Sequence, residues 1–443
     1  MNIDILRNSL TTRILWNCAE ANGFYKRFGK ITPQVFIDLL LHCALHQAGY
    51  CSLSQMSNYL SWQLNIDVSK QAIDERFTDS AYKYVLSVVN YIAGQRMSST
   101  LDTSFLEAFS RVRIKDSTKF KLPCWLKDQY KGHGGFGDIQ SGMCIQFEYD
   151  LKSNAIIGFS LTNETRNDFE ESREESQPIL SNDLLIRDLG YWSINKFKQI
   201  KSAGAFFLSR LNTTVELFDL QGNRFELKTV YQKMKKYRLT HQQFIVRLGI
   251  KEQIVVRLCV SLASDEVYEK RITTLKKQNQ RYKNATIRQE TKDRYHLNLF
   301  VTNIPCQILD TPDILKAYHF RWQIELIFKQ WKSIAGVASV TAVRAERFLC
   351  ILYAKLILIL INYRFMRVIQ SFYYRTNQRL LSPYKCMQSL WLHFDIISDI
   401  LKRKSWRNTT YIDSLITRFS RNHYLENRKK HITFEDLFYY YLK

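Results

Sequence analysis

Two aspartates stand where predicted strands end, and their positions could assemble a site for phosphate chemistry. Asp116 follows the alternating stretch Val112–Ile114 in RIKDSTKF, and Asp188 follows the apolar stretch Leu184–Ile186 in LLIRDLGYW. Both patterns predict short strands that end at an aspartate. Because ligand sites form where the strands of an α/β sheet end, the two carboxylates are predicted to converge.

A third carboxylate, Glu325, lies in a predicted helix over AYHFRWQIELIFKQWKS. Tyr318, Arg321, Glu325 and Lys332 follow one another at offsets of 0, 3, 7 and 14 residues. At roughly 100° per residue, these positions fall within about 60° of one another on the helix surface. A solvated ladder of salt bridges would give the same pattern, so this face indicates function only together with the two aspartates.

The three carboxylates predict a site for two divalent metal ions. Such ions can activate a water or a 3′-hydroxyl and stabilise the leaving oxygen of an in-line phosphodiester displacement. Oxygen ligands suit Mg²⁺, and Mn²⁺ is expected to substitute for it. Asp116, Asp188 and Glu325 are therefore the candidate catalytic and metal-binding residues, and Arg321 and Lys332 would hold phosphates beside the metals.

The same residues resemble the DDE transposases of bacterial insertion sequences. The resemblance is to the cut-and-paste family of the insertion sequence 4 type, which carries a Tyr-(2)-Arg-(3)-Glu-(6)-Lys signature. Here that signature is complete as Tyr318, Arg321, Glu325 and Lys332. The family's aspartate motifs are matched by KDST at Lys115–Thr118 and by DLGYW at Asp188–Trp192, and the resemblance covers roughly residues 50 to 370.

The resemblance implies a fold, a reaction and partners. It implies an RNase H-like catalytic core with two Mg²⁺ ions at the three carboxylates, and contacts from Tyr318, Arg321 and Lys332 to the transposon end. A homodimer would pair two ends of double-stranded DNA at the terminal inverted repeats. Water would nick one strand, the freed 3′-hydroxyl would attack the opposite strand to form a hairpin, and insertion into target DNA would follow.

One feature departs from the family pattern. Some members place a Trp on the strand before the signature helix, where it stacks on a flipped base, but the stretch Tyr295–Asn303 contains no Trp. Tyr295 or His296 could take its place, or this stretch could be a plain core strand. How a flipped base would be held is therefore left open.

The elements that must position these residues divide the chain into five parts of an α/β protein. The sequence predicts a helical N-terminal DNA-binding region over 1–105 and the first part of the catalytic core over 106–212. It then predicts a β-rich insertion over 213–303, the second part of the core over 304–372 and a helical C-terminal region over 373–443. The last region could hold a dimer interface or pack against the core.

The N-terminal region contains two short predicted helices, near Ser54–Leu60 and Ser69–Phe77. Their close spacing is typical of a helix-turn-helix, and an ordinary helical hairpin would give the same pattern. Lys70 and Arg76 on the second helix are the candidate DNA contacts.

Composition agrees with a nucleic-acid partner. The 443 residues include 64 Lys and Arg against 41 Asp and Glu, a formal net charge of +23. Such an excess predicts a polyanionic partner. Nine cysteines without a C-x-x-C pair indicate free thiols in a reducing cytoplasm. The resemblance implies a bacterial cytoplasm, where the protein would associate with the nucleoid.

The apolar run Phe348–Ile361 could be mistaken for a membrane span. It contains Lys355, and Asn362 and Arg364 follow at once. The run is also shorter than the roughly 20 apolar residues that cross a bilayer. We therefore predict a helix buried in a protein core, and we do not expect a membrane partner.

Rival functions follow from the same features. A catalytically inactive or domesticated DNA-binding protein would keep the fold and charge but lose a carboxylate, and all three are present. A nuclease that cuts without joining would use the same metal site.

Overall fold

A computed structural model describes twelve stretches of the chain. They are residues 10–27, 29–45, 52–95, 106–134, 140–153, 155–212, 214–251, 253–280, 287–339, 343–377, 381–394 and 417–424. The predicted helical region over 373–443 therefore lies largely outside the described residues.

Within the described stretches, nine strands form one mixed sheet in the order β3-β2-β1-β4-β5-β9-β8-β7-β6. Strand β1 pairs in parallel with β4, and β4 with β5, while the other neighbours are antiparallel. The strands are β1 Arg111–Leu122, β2 Ser141–Asp150, β3 Ile156–Asn163, β4 Asp183–Arg187, β5 Phe206–Arg210, β6 Leu217–Phe218, β7 His241–Leu248, β8 Ile254–Leu262 and β9 Leu297–Thr302. The predicted α/β class is confirmed.

Helices precede, interrupt and follow the sheet. Five come before it: α1 Thr12–Ala21, α2 Pro33–Leu45, α3 Leu53–Leu64, α4 Lys70–Asp74 and α5 Asp79–Gly94. Five lie between strands: α6 Asp168–Glu171, α7 Ile194–Ser202, α8 Leu227–Lys236, α9 Asp265–Gln280 and α10 Gln289–Tyr295. The helices that follow β9 include α11 Thr311–His319, α12 Trp322–Ser333, α13 Ala345–Asn377 and α14 Pro383–Leu392. Residues 213–303 thus supply strands β6 to β9 to the common sheet, together with three helices.

The prediction that the first strand ends at Asp116 is wrong. Strand β1 continues to Leu122, because its antiparallel pairing with β2 extends to Leu122 opposite Ser141. Only the parallel pairing with β4 stops early, at Lys115 opposite Arg187. Asp116 therefore lies in mid-strand, at the point where one of its two neighbouring strands ends.

Strand β1 presents chemically different side chains to the two faces of the sheet, since successive residues of a strand point in opposite directions. On the face of Asp116, which we call the helix face, Phe147 of β2 lies opposite Asp116 in register. Its ring centroid is 6.0 Å from Phe328 and 4.9 Å from Trp331. Apolar packing thus fixes helix α12 over this face.

The other face, which we call the ionic face, is covered by the acidic segment of residues 164–178. Arg113, with 0% exposure, forms ion pairs of 2.9 Å with Glu148, 2.9 Å with Glu175 and 3.5 Å with Asp183. Such a buried cation keeps its charge only where carboxylates surround it. The acidic segment forms one helical turn, α6, and is held to the sheet by charge.

The long helix α13 forms the centre of the main apolar core and packs against α5 and α2. Among the described residues it is the one helix long and apolar enough to cross a membrane, and 94% of its apolar window is buried inside the protein. Lys355 donates to the carbonyl of Gly336 at 2.6 Å, and burial lowers its pKa to about 8. The predicted core helix is confirmed.

Candidate active site

The register of β1 and β4 places two aspartates side by side. The last parallel pair is Lys115 opposite Arg187; Asp116 follows Lys115 on β1, and Asp188 is the first residue after β4. Beyond Asp188 the chain turns away through a short 3₁₀ helix, Leu189–Tyr191. The convergence predicted from the sequence is thus produced by the end of the β1–β4 pairing.

The four signature residues lie on two helices and at the junction between them, which corrects the prediction of one continuous helix: Tyr318 is on α11, Arg321 is at the junction, and Glu325 and Lys332 are on α12. Helix α11 ends at His319 and α12 begins at Trp322. Between them the backbone tightens, because the N–H of Arg321 bonds to the carbonyl of Tyr318 at 3.1 Å, three residues back. Despite this break, both helices direct signature side chains towards the aspartates.

Arg321 connects two of the three carboxylates. Its Nη1 lies 3.4 Å from Asp116 Oδ2, and its Nη2 lies 2.7 Å from Glu325 Oε1. The side chains of Arg321 and Asp116 are 9% and 17% exposed, so their contact is largely shielded from water, whereas the Glu325 side chain is 35% exposed. One guanidinium thus balances the charge of Asp116 and Glu325.

Tyr318 and Lys332 complete the predicted group. The Tyr318 hydroxyl donates to Asp188 Oδ1 at 3.2 Å. Burial, and secondarily the charge of Asp188, raises the pKa of this hydroxyl, which keeps it protonated as a donor. Lys332 is exposed and donates to the carbonyl of Lys119 on β1 at 3.1 Å.

The three carboxylates open into one cavity of about 690 Å³. Carboxylates and cations dominate its lining, which consists of Asp116, Ser117, Asp188, Arg321, Glu325, Phe328, Lys329, Lys332 and Ser333. Five of the eight predicted site residues are therefore brought together at this cavity, and Tyr318 contacts Asp188 at its edge.

The ionisation of Asp116 is strongly perturbed by its surroundings. Burial raises its pKa to about 7, against the lowering effects of the Ser117 backbone N–H and of Arg321. The nearby charges of Asp188 and Asp168 raise it further. A buried carboxyl with anionic neighbours gains from any cation that enters the cavity.

The donor set fits a hard divalent cation, since three carboxylates face one cavity. In the part of the chain that is described, no three Asp, Glu, His or Cys side chains are close enough to ligate one ion together. Arg321 lies between Asp116 and Glu325 instead. Ligation by all three carboxylates would therefore require this guanidinium to move.

Arg210 is a cation beside the site that the sequence patterns did not reveal. It ends β5, the strand next to β4, and its guanidinium carbon lies 5.4 Å from the ring centre of Tyr318. The guanidinium of Arg321 lies 5.8 Å from the same ring. The position of Arg210 at the end of a third parallel strand was the signal that could have identified it.

The candidate DNA contacts of the N-terminal region lie elsewhere. Lys70 is exposed at the start of α4, and Arg76 is half-buried with its guanidinium 6.0 Å from the Phe24 ring. The second predicted helix is shorter than expected, because α4 ends at Asp74. Neither cation lines the cavity.

His296, a candidate for holding a flipped base, is enclosed by aromatic rings. Its ring stacks at 4.8 Å on Tyr231 and at 3.7 Å on Tyr268. The carbonyl of Tyr295 accepts a hydrogen bond from Arg271 at 2.9 Å. These contacts favour a packing role for the stretch before β9.

The comparisons with known proteins identify a transposase family and transposases of insertion sequence elements as similar to this chain. The model of the family described as "Transposase DDE domain" matches residues 107–361. The chain is 26% identical to a transposase for insertion sequence element IS1151 of Clostridium perfringens, over 91% of this chain and 88% of that protein. It is 27% identical to a transposase for insertion sequence element IS231F of Bacillus thuringiensis subsp. israelensis, over 97% of this chain and 92% of that protein.

The raised pKa of Asp116 predicts a pH-dependent effect of Asp116→Asn on stability without metal. Between pH 3.8 and about 7 the native state holds a proton that the unfolded state has released, so stability falls as pH rises through this window. The amide removes this loss. In the presence of a chelator, Asp116→Asn should raise the free energy of unfolding more at pH 8 than at pH 5. The difference between the two increases should be on the order of 2 kcal/mol.

Denaturant unfolding of both proteins at the two pH values measures this difference. Glu266→Gln, at an exposed position on α9, is the control and should change the free energy of unfolding by the same small amount at both pH values. An equal effect of Asp116→Asn at pH 5 and pH 8 would contradict the assigned protonation.

Proposed function

The chain belongs to the transposase DDE domain family, and from that premise we propose that it binds insertion-sequence ends and performs metal-dependent DNA cleavage and strand transfer. The observation that carries the proposal is the meeting of Asp116, Asp188 and Glu325 at one cavity with Arg321 between two of them. The three carboxylates are proposed as the catalytic residues.

The catalytic core is proposed to be RNase H-like, over 106–212 and 304–372. The strand order β3-β2-β1-β4-β5, with a parallel β1–β4–β5 unit and an antiparallel β1–β2–β3 unit, supports this proposal. Residues 213–303 are then an insertion that extends the sheet. Residues 1–105 are proposed to bind DNA, and 373–443 to form the C-terminal helical region.

Two Mg²⁺ ions, or Mn²⁺ in their place, are the proposed cofactors. When bound, such ions supply an activated oxygen nucleophile and stabilise the leaving oxygen. Asp116, Asp188 and Glu325 would hold them. Arg321 would no longer be needed to balance Asp116 and Glu325, and its planar fork is suited to bind a DNA phosphate.

The side chains around the carboxylates are proposed to orient the transposon end. Tyr318 keeps its proton and can donate to a phosphate oxygen once its bond to Asp188 is exchanged. Lys332 and Lys329 are exposed at the cavity and supply positive charge for the backbone. Lys70 and Arg76 are proposed to contact DNA further from the cut.

The reaction is proposed to follow a cut-and-paste course through hairpin ends. Nicking, attack of the 3′-hydroxyl and insertion into target DNA would use the same carboxylates in turn. The partners are the terminal inverted repeats, target DNA and a second copy of the chain that pairs the ends. The free cysteines among the described residues and the buried α13 are consistent with action in the bacterial cytoplasm at the nucleoid.

Substitution of Glu325→Gln should abolish cleavage while leaving DNA binding intact. The amide keeps the shape of the side chain but removes the charge that a metal requires. With a fragment carrying the element's own ends and Mg²⁺ or Mn²⁺, nicked and hairpin products should fall by at least about a hundredfold. Gel analysis of end-labelled DNA measures the products.

Glu266→Gln is the matched control and should cleave like the wild type. Equal cleavage by wild type and Glu325→Gln would remove Glu325 from the site. DNA binding without cleavage by either the wild type or Glu325→Gln would favour the inactive DNA-binding protein. Nicking without strand transfer by the wild type would favour the nuclease.

Lys332→Gln tests the proposed phosphate contact through salt dependence. Each neutralised phosphate contributes about −0.9 to the slope of log K against log salt concentration, because bound counterions are released. The slope should become less steep by about 0.9 in this variant. Lys316→Gln is the control, since Lys316 already pairs with Asp313 at 3.0 Å, and an unchanged slope for Lys332→Gln would contradict the contact.

A further inference from the structure

We propose that Asp168 is a positioning residue that holds Asp116 and Asp188 in place from the ionic face of the sheet. The inference rests on the proposed function, because it concerns how the metal-binding aspartates are oriented. Asp168 begins α6 in the acidic segment, and no feature of the signature identifies it.

The alternation of side chains along β1 places two polar groups behind the candidate active site. Asp116 points to the helix face, so the next residue, Ser117, points to the ionic face. Ser117 lies opposite Gln146 of β2 in the register. The side chains of Ser117 and Gln146 are thus neighbours on the ionic face.

Asp168 accepts a hydrogen bond from each of them. Its Oδ1 lies 2.9 Å from Ser117 Oγ and 3.3 Å from Gln146 Nε2. The backbone N–H of Ser117 in turn donates to Asp116 Oδ1 at 2.8 Å. Anchoring Ser117 therefore also fixes the donor that orients the Asp116 carboxylate.

The same network reaches the turn that carries Asp188. Gln146 Oε1 accepts a hydrogen bond of 2.8 Å from the buried hydroxyl of Tyr191, which ends the 3₁₀ helix after Asp188. A Cβ at Gly190 would lie 2.9 Å from Asp168 Oδ2. The turn thus packs onto Asp168 through the one residue without a side chain.

Ion pairs hold the acidic segment in this position. Glu171 pairs with Lys115 at 3.0 Å, and Glu175 pairs with Arg187 at 2.8 Å. Lys115 directly precedes Asp116, and Arg187 directly precedes Asp188. The segment that contains Asp168 is therefore tied to both strands at the residues next to the aspartates.

Asp168 acts through these partners and not as a ligand itself. It is absent from the lining of the cavity, which lies on the helix face. Its Oδ1 accepts hydrogen bonds from the side chains of Ser117 and Gln146, which lie on the ionic face. Its expected effect is on the geometry of Asp116 and Asp188, and so on metal affinity.

The test is Mn²⁺ binding to the full chain, measured by electron paramagnetic resonance without DNA. Loss of a partner that orients a metal ligand weakens affinity by roughly 10- to 100-fold. Asp168→Ala should therefore bind Mn²⁺ about tenfold more weakly than the wild type. Asp168→Asn keeps the Oδ1 acceptor for both donors and should remain within about twofold.

Tyr191→Phe and Glu170→Ala complete the design. Tyr191→Phe removes one hydroxyl, should weaken Mn²⁺ binding by about threefold, and should not add fully to Asp168→Ala because both act through Gln146. Glu170→Ala, at an exposed position of the same helix, should bind like the wild type. Circular dichroism checks that each variant is folded.

Three results would overturn the inference. Unchanged Mn²⁺ affinity in folded Asp168→Ala excludes positioning, and full additivity with Tyr191→Phe excludes a shared path through Gln146. Equal weakening by Asp168→Asn and Asp168→Ala would assign the effect to charge. If Asp188→Asn also binds Mn²⁺ with the affinity of the wild type, the proposed function fails together with the inference.

Discussion

The parallel pairing of β1 with β4 is the constraint on which the candidate site depends. Its last pair, Lys115 opposite Arg187, makes Asp116 and Asp188 the first residues beyond it. A shift of one residue on either strand would send its aspartate to the other face of the sheet, because side chains alternate. Both faces of the sheet contribute to holding this register, since apolar helices cover the carboxylates on one side and the acidic segment binds the strands on the other.

Charge balance explains the arrangement around the carboxylates. Carboxylates grouped at a partly buried cavity disfavour one another's ionisation, and Arg321 offsets this effect for Asp116 and Glu325. The same guanidinium occupies the space between Asp116 and Glu325, where a shared ion would have to bind. Metal binding and DNA binding are therefore expected to be coupled, because the metal would pair with the carboxylates and a DNA phosphate would pair with the released Arg321.

Much of the site could be predicted from the sequence, because strand ends and helical spacing are local properties. The pattern around Asp116 and Asp188, and the spacing from Tyr318 to Lys332, predicted which side chains meet. The continuation of β1 to Leu122 could not be predicted, since it depends on pairing with β2, a distant segment. The contacts of Asp168 were equally hidden, because they join segments that are distant in the sequence. Arg210 could have been noticed only from its place at a strand end.

The most direct test of the three-carboxylate metal site is a crystal structure of the protein with a transposon-end duplex and Mn²⁺, with metal positions taken from anomalous scattering. We expect anomalous peaks within ligand distance of Asp116, Asp188 and Glu325, with Arg321 turned away from Asp116 towards a DNA phosphate. Mn²⁺ bound elsewhere, with the Arg321 pairs to Asp116 and Glu325 intact beside bound DNA, would contradict this metal site.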